Sequence, residues 1–159
     1  MTNLPIRLKA NVLMLCLVFG LLTNVAMADK VQSHELSDAV LQGNLEKVKT
    51  LIAAGVDLEV LDDRMNPNGR YPLNWAAWFD RVEIIKALLD AGADISKPNK
   101  TGFTPLHHAI ENGSVAAAKL LVERGADLSA VNRYDATPLQ FAREVGQNEI
   151  ADFIIAAQQ

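Results

Sequence analysis

Three short segments of the chain share one pattern at one spacing. They are Tyr71-Pro72-Leu73, Thr104-Pro105-Leu106 and Thr137-Pro138-Leu139, so proline recurs every 33 residues. A self-similar period of this length belongs to stacked arrays, in which each unit is one supersecondary motif that cannot bury its apolar face alone. The constraint sets the fold. It also replaces the search for a catalytic group with a search for a surface.

The unit from Asn99 to Val131 is the most regular. Thr104 is placed to cap a helix, because its hydroxyl can accept a hydrogen bond from an orphan amide of the first turn. Pro105 takes the first helical position, where a missing N–H costs nothing. Gly113 ends this helix after about two turns. A second helix is expected from near Ser114, with Val115, Ala118, Leu121 and Val122 recurring at helical spacing. Gly125-Ala126-Asp127 stops it, and an extended turn leads onward. The same signs run through residues 66–98, with Tyr71-Pro72-Leu73-Asn74 and Ala91-Gly92-Ala93-Asp94, and onward from Asn132, with Thr137-Pro138-Leu139-Gln140 and Gly146. A degenerate first unit, about 29–61, keeps Leu36, Ala39, Gly43 and Gly55 but has His34-Glu35 where the others have Thr-Pro or Tyr-Pro, with Ser33 expected as the cap.

Turn, short helix, turn, longer helix, repeated in this register, resembles the ankyrin repeat. The resemblance implies an all-α solenoid of four helix-turn-helix repeats, about 29–61, 66–98, 99–131 and 132–159. The hairpin-like turns between repeats would project as fingers beside a concave face. It also implies that His107, in the Thr-Pro-Leu-His motif, bonds locally and ties adjacent turns together. Arrays of this kind bind folded proteins through the fingers and the first helices. Polar residues near both ends, Lys47 and Lys49 at one and Gln147, Asn148 and Asp152 at the other, suit capping units, so the array is expected to be whole.

The first 28 residues are expected to stand outside the fold. Arg7 and Lys9 precede an apolar run from Val12 to Leu22 and then Ala26-Met27-Ala28, a small-x-small cleavage pattern. This reads as a secretory signal peptide over residues 1–28. An uncleaved anchor is the alternative, and the run falls short of the roughly 20 residues a span needs. Lipid attachment at Cys16 is excluded by Leu15 before it, where a small residue is required. Cleavage leaves 131 of 159 residues, with 13 Lys and Arg against 19 Asp and Glu, a net charge of −6. That balance argues against a nucleic-acid role and against an anionic membrane surface. Cys16, the only cysteine, leaves with the signal, so packing rather than a disulfide must hold the fold.

Departures from the repeat mark the candidate surface. Gly55 to Gly69 spans 14 residues where Gly92 to Gly102 spans 10, so four extra residues, Asp62-Asp63-Arg64-Met65, lie in the first inter-repeat turn. Either this longer finger touches a partner, with Arg64 and Met65, or it is a loop insertion tolerated at little entropic cost. Trp75 is expected in the core. Trp78 and Phe79 are expected to face the groove, where the next units carry Glu111 with Asn112 and Glu144 with Val145. Aromatics beside Arg70 and Arg81 fit a binding hot spot. The competing reading is that Trp78 folds back over the long finger and completes the core. On the binding reading, replacing both aromatics leaves stability nearly unchanged. Lys100, Thr101 and Phe103 in the next turn, Glu111, and Arg133 and Tyr134 in the last turn complete the set. Asp80 replaces the usual glycine and tolerates the left-handed conformation.

Catalytic chemistry is not legible. His107 and His108 are adjacent, so on a helix they point to different faces, and no cysteine or i+4 histidine completes a zinc site. The Asp62-Asp63 pair is expected in a solvated turn with nothing to raise a pKa. No catalytic residue, metal or cofactor is expected. The expected function is a monomeric, non-catalytic module in the periplasm that binds and stabilises or scaffolds another protein, an enzyme or an envelope complex. Small exported proteins of this type are associated with defence against oxidants. The alternative is an immunity protein that neutralises a toxin, which an acidic surface suits if the toxin is basic. An enzyme or metal carrier is the remote alternative.

Overall fold

The structure, a computed structural model, describes residues 34–159. The expected signal peptide and the Ser33 cap lie outside the described residues. Eight helices are found among those described: α1 (residues 34–41), α2 (Leu45–Ala53), α3 (Pro72–Trp78), α4 (Val82–Asp90), α5 (Pro105–Glu111), α6 (Val115–Glu123), α7 (Pro138–Glu144) and α8 (Asn148–Ala157). They form two layers. The short helices α3, α5 and α7 pack in series, and α2, α4, α6 and α8 pack in series beside them. This is the all-α solenoid that the 33-residue period demands.

Local chemistry starts each short helix. Thr104 sits in extended backbone and accepts from His107 N, and Thr137 does the same for Gln140 N. The return bonds also form, from Thr104 N to His107 Nδ1 at 3.4 Å and from Thr137 N to Gln140 Oε1 at 2.9 Å. Tyr71 has no oxygen near its own helix start, so only the return bond remains, from Tyr71 N to Asn74 Oδ1 at 2.8 Å. Asp80 does adopt the left-handed conformation, with φ of 54°. It also reaches into the next unit, where Oδ1 accepts from Ala117 N at 2.7 Å. Asp80 thereby caps α6, whose own Ser114 donates instead to the Trp78 carbonyl at 2.8 Å. A glycine there could not supply this bond.

Packing between units follows the period. Ala76, Ala109 and Ala142 are fully buried at 33-residue spacing and let the short helices approach closely. Leu36, Ile85, Leu106, Leu121 and Ile154 fill the space between the layers. The expected stripe of α6 turns slightly: Ala117, Ala118, Leu120 and Leu121 are buried, while Val115 and Val122 are half-buried at its edges. His107 ties the units as expected, its Nε2 donating to Ala136 O of the next turn at 3.2 Å. Asn74, at the same place in α3, is too short to cross, and its buried Nδ2 finds no partner.

The turns between units are tight fingers closed by an asparagine. Asn99 Oδ1 accepts from Thr101 N and from Phe103 N, each at 3.0 Å, while Asn99 N donates to Phe103 O. Asn132 repeats this with Tyr134 N and Ala136 N. The first finger divides the task. Asn66 keeps the inner bond, to Asn68 N, but the closing bridge has moved outward to Asp62 and Arg70, which exchange both backbone bonds at 2.9 Å. The four extra residues thus widen the finger instead of lengthening a loose loop. Gly69 closes it at φ of 68°, where a Cβ would stand 2.5 Å from Leu61 Cγ.

Two expectations follow. Leu106→Ala leaves a cavity beneath the central repeat and costs about 2–5 kcal/mol, read as a fall in the urea midpoint. Burial pushes the His107 imidazole down to about 4, against the pull of the Ala136 carbonyl. The unfolded chain titrates near 6.5, so between these values it binds a proton that the fold refuses. Stability present above pH 6.5 is therefore lost as the pH falls toward 4, by roughly 3 kcal/mol for this group. The slope should shrink in His107→Gln, glutamine being what α7 carries at that position; the slope left over comes from His108, which burial also pushes down, and near pH 4 from carboxylates such as Asp62, which the Arg64 hydrogen bonds hold low. An unchanged slope would remove His107 as its source.

Candidate protein-binding surface

The fingers and the ends of the short helices carry the exposed apolar side chains. Met65 is 66% exposed on the first finger and Tyr134 57% on the third. Phe79 is 40% exposed at the end of α3, and Val145 holds the matching place at the end of α7. The two aromatics are exposed yet packed. Phe79 stacks on Trp75 with centroids 6.1 Å apart. Tyr134 meets Phe103 edge-on at 6.1 Å, and the Arg133 guanidinium lies 4.8 Å over its ring. Lys100 is exposed and bridges to the first finger, donating to Asp63 Oδ2 at 3.0 Å and to the Pro67 carbonyl at 3.4 Å.

Other expected contact residues are not free. Arg70 is only 7% exposed. It occupies the position just before the helix cap, the place of Phe103 and Ala136 in the next units, and that position points inward. Its guanidinium carbon lies 3.9 Å from the Trp78 ring centre and 4.5 Å from that of Trp75. Trp78 is therefore half-buried, held over Arg70 and edge-on to His108 at 6.2 Å. Of the two aromatics expected to face the groove, Phe79 is exposed there, while Trp78 is half covered by Arg70 and His108, closer to the competing reading that it completes the core.

Phe103 is likewise buried, packed between His108 and Phe141. Arg64 is committed to a clamp. It donates to both carboxylate oxygens of Asp62, at 2.8 and 2.9 Å, and to Asp38 of α1 at 2.7 Å. Asp62 is accordingly not solvated but buried, and the Arg64 hydrogen bonds hold its carboxyl below the usual range. Arg81 sits at the far end of α3 from the fingers, with its guanidinium against Gly43, so the structure does not group it with Arg70.

A small polar cleft opens between the first two fingers. Asn66, Asn68, Asn99 and Thr101 line it, with Arg133 from the third finger and with Arg70, Phe103, His108 and Glu111 below. Its volume is about 40 Å³, where a single water needs about 10–15 Å³. Sequence reasoning named Arg70, Thr101, Phe103, Glu111 and Arg133 singly but not the cleft they share. Asn66, Asn68, Asn99 and His108 were missed as lining residues. The 33-residue recurrence of Asn66, Asn99 and Asn132 was the available signal.

A family model described as ankyrin repeats (3 copies) matches residues 36–132 and 98–159. The chain belongs to the ankyrin-repeat family. It is also similar to a protein of Escherichia coli (strain K12) named as an ankyrin repeat protein, YahD, being 38% identical over 63 residues, which is 40% of this chain. The chain spans 29% of that relative's length. Ankyrin repeats are protein–protein interaction modules, and here the exposed aromatic and apolar residues lie where such an array presents its fingers and first helices. Among the described residues no group of three His, Cys, Asp or Glu is placed to hold a metal. No described helix is long and apolar enough to cross a membrane.

The two aromatics of α3 should separate by mutation. Trp78→Ala uncovers the Arg70 guanidinium and should cost about 1–3 kcal/mol through lost cation–π contact and burial. Phe79→Ala should cost about 1 kcal/mol or less. Denaturation midpoints measure both. Equal midpoints for Trp78→Ala and the wild type would mean that the stack over Arg70 contributes nothing.

Proposed function

We propose that this ankyrin-repeat protein is an exported, non-catalytic binding module that grips one partner protein and stabilises or scaffolds it in the periplasm. One observation carries the binding reading: Tyr134, Phe79 and Met65 are exposed, and the two aromatics are each held by a packed neighbour. A rigid exposed aromatic loses little entropy on docking, which is why Tyr and Trp dominate hot spots. Supporting the compartment are the charged, apolar and small-residue segments of residues 1–28, and the lack of any cysteine after Cys16. A role in defence against oxidants, with an envelope enzyme as the client, is the partner class this reading favours.

One feature favours a second reading. The net charge of −6 left after residue 28 suits a basic partner, as an immunity protein facing a basic toxin would need. The two readings differ in whether the partner gains or loses activity when bound.

In-cell crosslinking and capture from the periplasmic fraction tests both. The mature protein, a monomer on this reading, should bring down one stoichiometric partner. Phe79→Ala with Tyr134→Ala, two exposed positions, should lose it while staying folded with a melting temperature only a few degrees lower, each residue contributing on the order of 2 kcal/mol to binding. Undiminished capture by the double variant would sink the proposed surface. Absence of the protein from that fraction would sink the compartment.

A further inference from the structure

The inserted finger leaves an arginine that the fold holds but does not satisfy. Arg70 is more than nine-tenths buried and lines the cleft, and its Nε–H has no acceptor among the described residues. Among the described residues the carboxylate nearest it, Glu111 Oε2, stands 3.7 Å from Nη2, beyond hydrogen-bonding distance, and is shared with His108 Nδ1 at 3.3 Å. Both tryptophan contacts engage the guanidinium carbon from over their rings. Stacking occupies a face of the guanidinium and leaves the N–H groups along its edge. A buried charge without hydrogen bonds is costly, so its presence calls for a reason.

The surroundings define what would satisfy it. Asn99 Nδ2 donates to Gly69 O at 3.1 Å and stands 3.5 Å from His108 Nε2, which leaves His108 neutral with its Nδ1–H toward Glu111. The charges at the cleft are then Arg70 and Arg133 against Glu111, a cationic spot on an acidic protein. The volume suits a group of a few heavy atoms. We propose that this cleft is the anchor of the docking surface and takes a single carboxylate, an Asp or Glu side chain of the partner, which replaces Glu111 at the edge of Arg70. This rests on the binding reading above and adds the chemistry of its central contact. Glu111, more than a third exposed, turns to solvent when displaced. The planar carboxylate matches the guanidinium fork in a way that a point contact to a neutral amide does not.

The test uses the folded protein and a capped, glycine-rich pentapeptide with one central glutamate, beside the same peptide with glutamine. The Arg70 Nε–H resonance and the tryptophan fluorescence report on the cleft. The glutamate peptide should shift both saturably and the glutamine peptide neither. Glu111→Gln should tighten the glutamate peptide about threefold, and Arg133→Gln should weaken it by about the same factor, the worth of one partly exposed charge. Both positions are exposed, and a melting curve of each variant verifies the fold, which a change at Arg70 itself would put at greater risk. Equal binding of the two peptides overturns the proposal. So does a response to inorganic phosphate without one to the glutamate peptide, or an affinity indifferent to Glu111. If the periplasmic partner binds through Phe79 and Tyr134 while the peptides do not bind, the anchor fails alone. If the peptide binds as described and no partner exists, the docking reading fails and the cleft stands.

Discussion

A single unit of this chain cannot hold itself together. Its helices run seven to ten residues, and isolated helices shorter than about 12–15 residues are marginal in water. The contact between neighbouring units therefore carries the fold. It is made of buried alanines at 33-residue spacing, which bring the short helices close, and of polar groups that reach from one unit to the next. His107 to Ala136 O, Asn99 to Gly69 O and Asp80 to Ala117 N each satisfy a buried or orphan group of a neighbour. Such bonds contribute about 1 kcal/mol each when made and cost more when one side is left unpaired. They also fix the register, because each joins a particular position to its counterpart in the next unit.

Much of this was legible because it is local or periodic. Thr104, Pro105 and Gly113 announce a short helix through capping and backbone preference alone. The 33-residue recurrence then places every other unit, and His107 follows from its motif. What was not legible depends on side-chain reach across units. Arg70 sits one residue before the cap, where Phe103 and Ala136 point inward, yet a sequence reader sees an arginine and assigns it to water. Its length carries it over Trp75 and on to Trp78, so the ring taken for a free contact is half covered. Phe103 was misplaced for the same reason. The cap that Asp80 lends to α6 was invisible because the amide that donates to it lies 37 residues away.

The surface has two kinds of contact. On the proposed docking, Phe79 and Tyr134 offer apolar area on packed supports and Met65 offers more on the first finger, which gives adhesion with little demand on the partner's sequence. The cleft offers one oriented charge in a partly desolvated place, where mispairing is penalised. On that proposal the first kind supplies area and the second discriminates, since a partner without the matching group leaves a buried charge unmet. Ankyrin arrays serve many partners on one scaffold, so the fold itself names none.

The four inserted residues decide between a tolerated loop and a working one. A tolerated insertion needs no tether, because lengthening a surface loop costs only a fraction of a kcal/mol. This one is tied at both flanks. Arg64 binds the buried Asp62 on one side and Asp38 of α1 on the other. Lys100 crosses from the second finger to Asp63 and Pro67, and its backbone amide donates to Asn68 O. Exposed ion pairs such as Lys100 with Asp63 contribute little alone, but the Arg64–Asp62 pair is buried at its acid end and geometrically complete. The insertion moves the closing bridge from Asn66 to Asp62, and Asn66 and Asn68 come to line the cleft above Arg70. In the second finger, by contrast, Asn99 closes directly on Phe103. A loop held this firmly, beside an arginine left this poorly satisfied, is the support that the proposed anchor requires, and drift in loop length alone supplies no reason for the tethers.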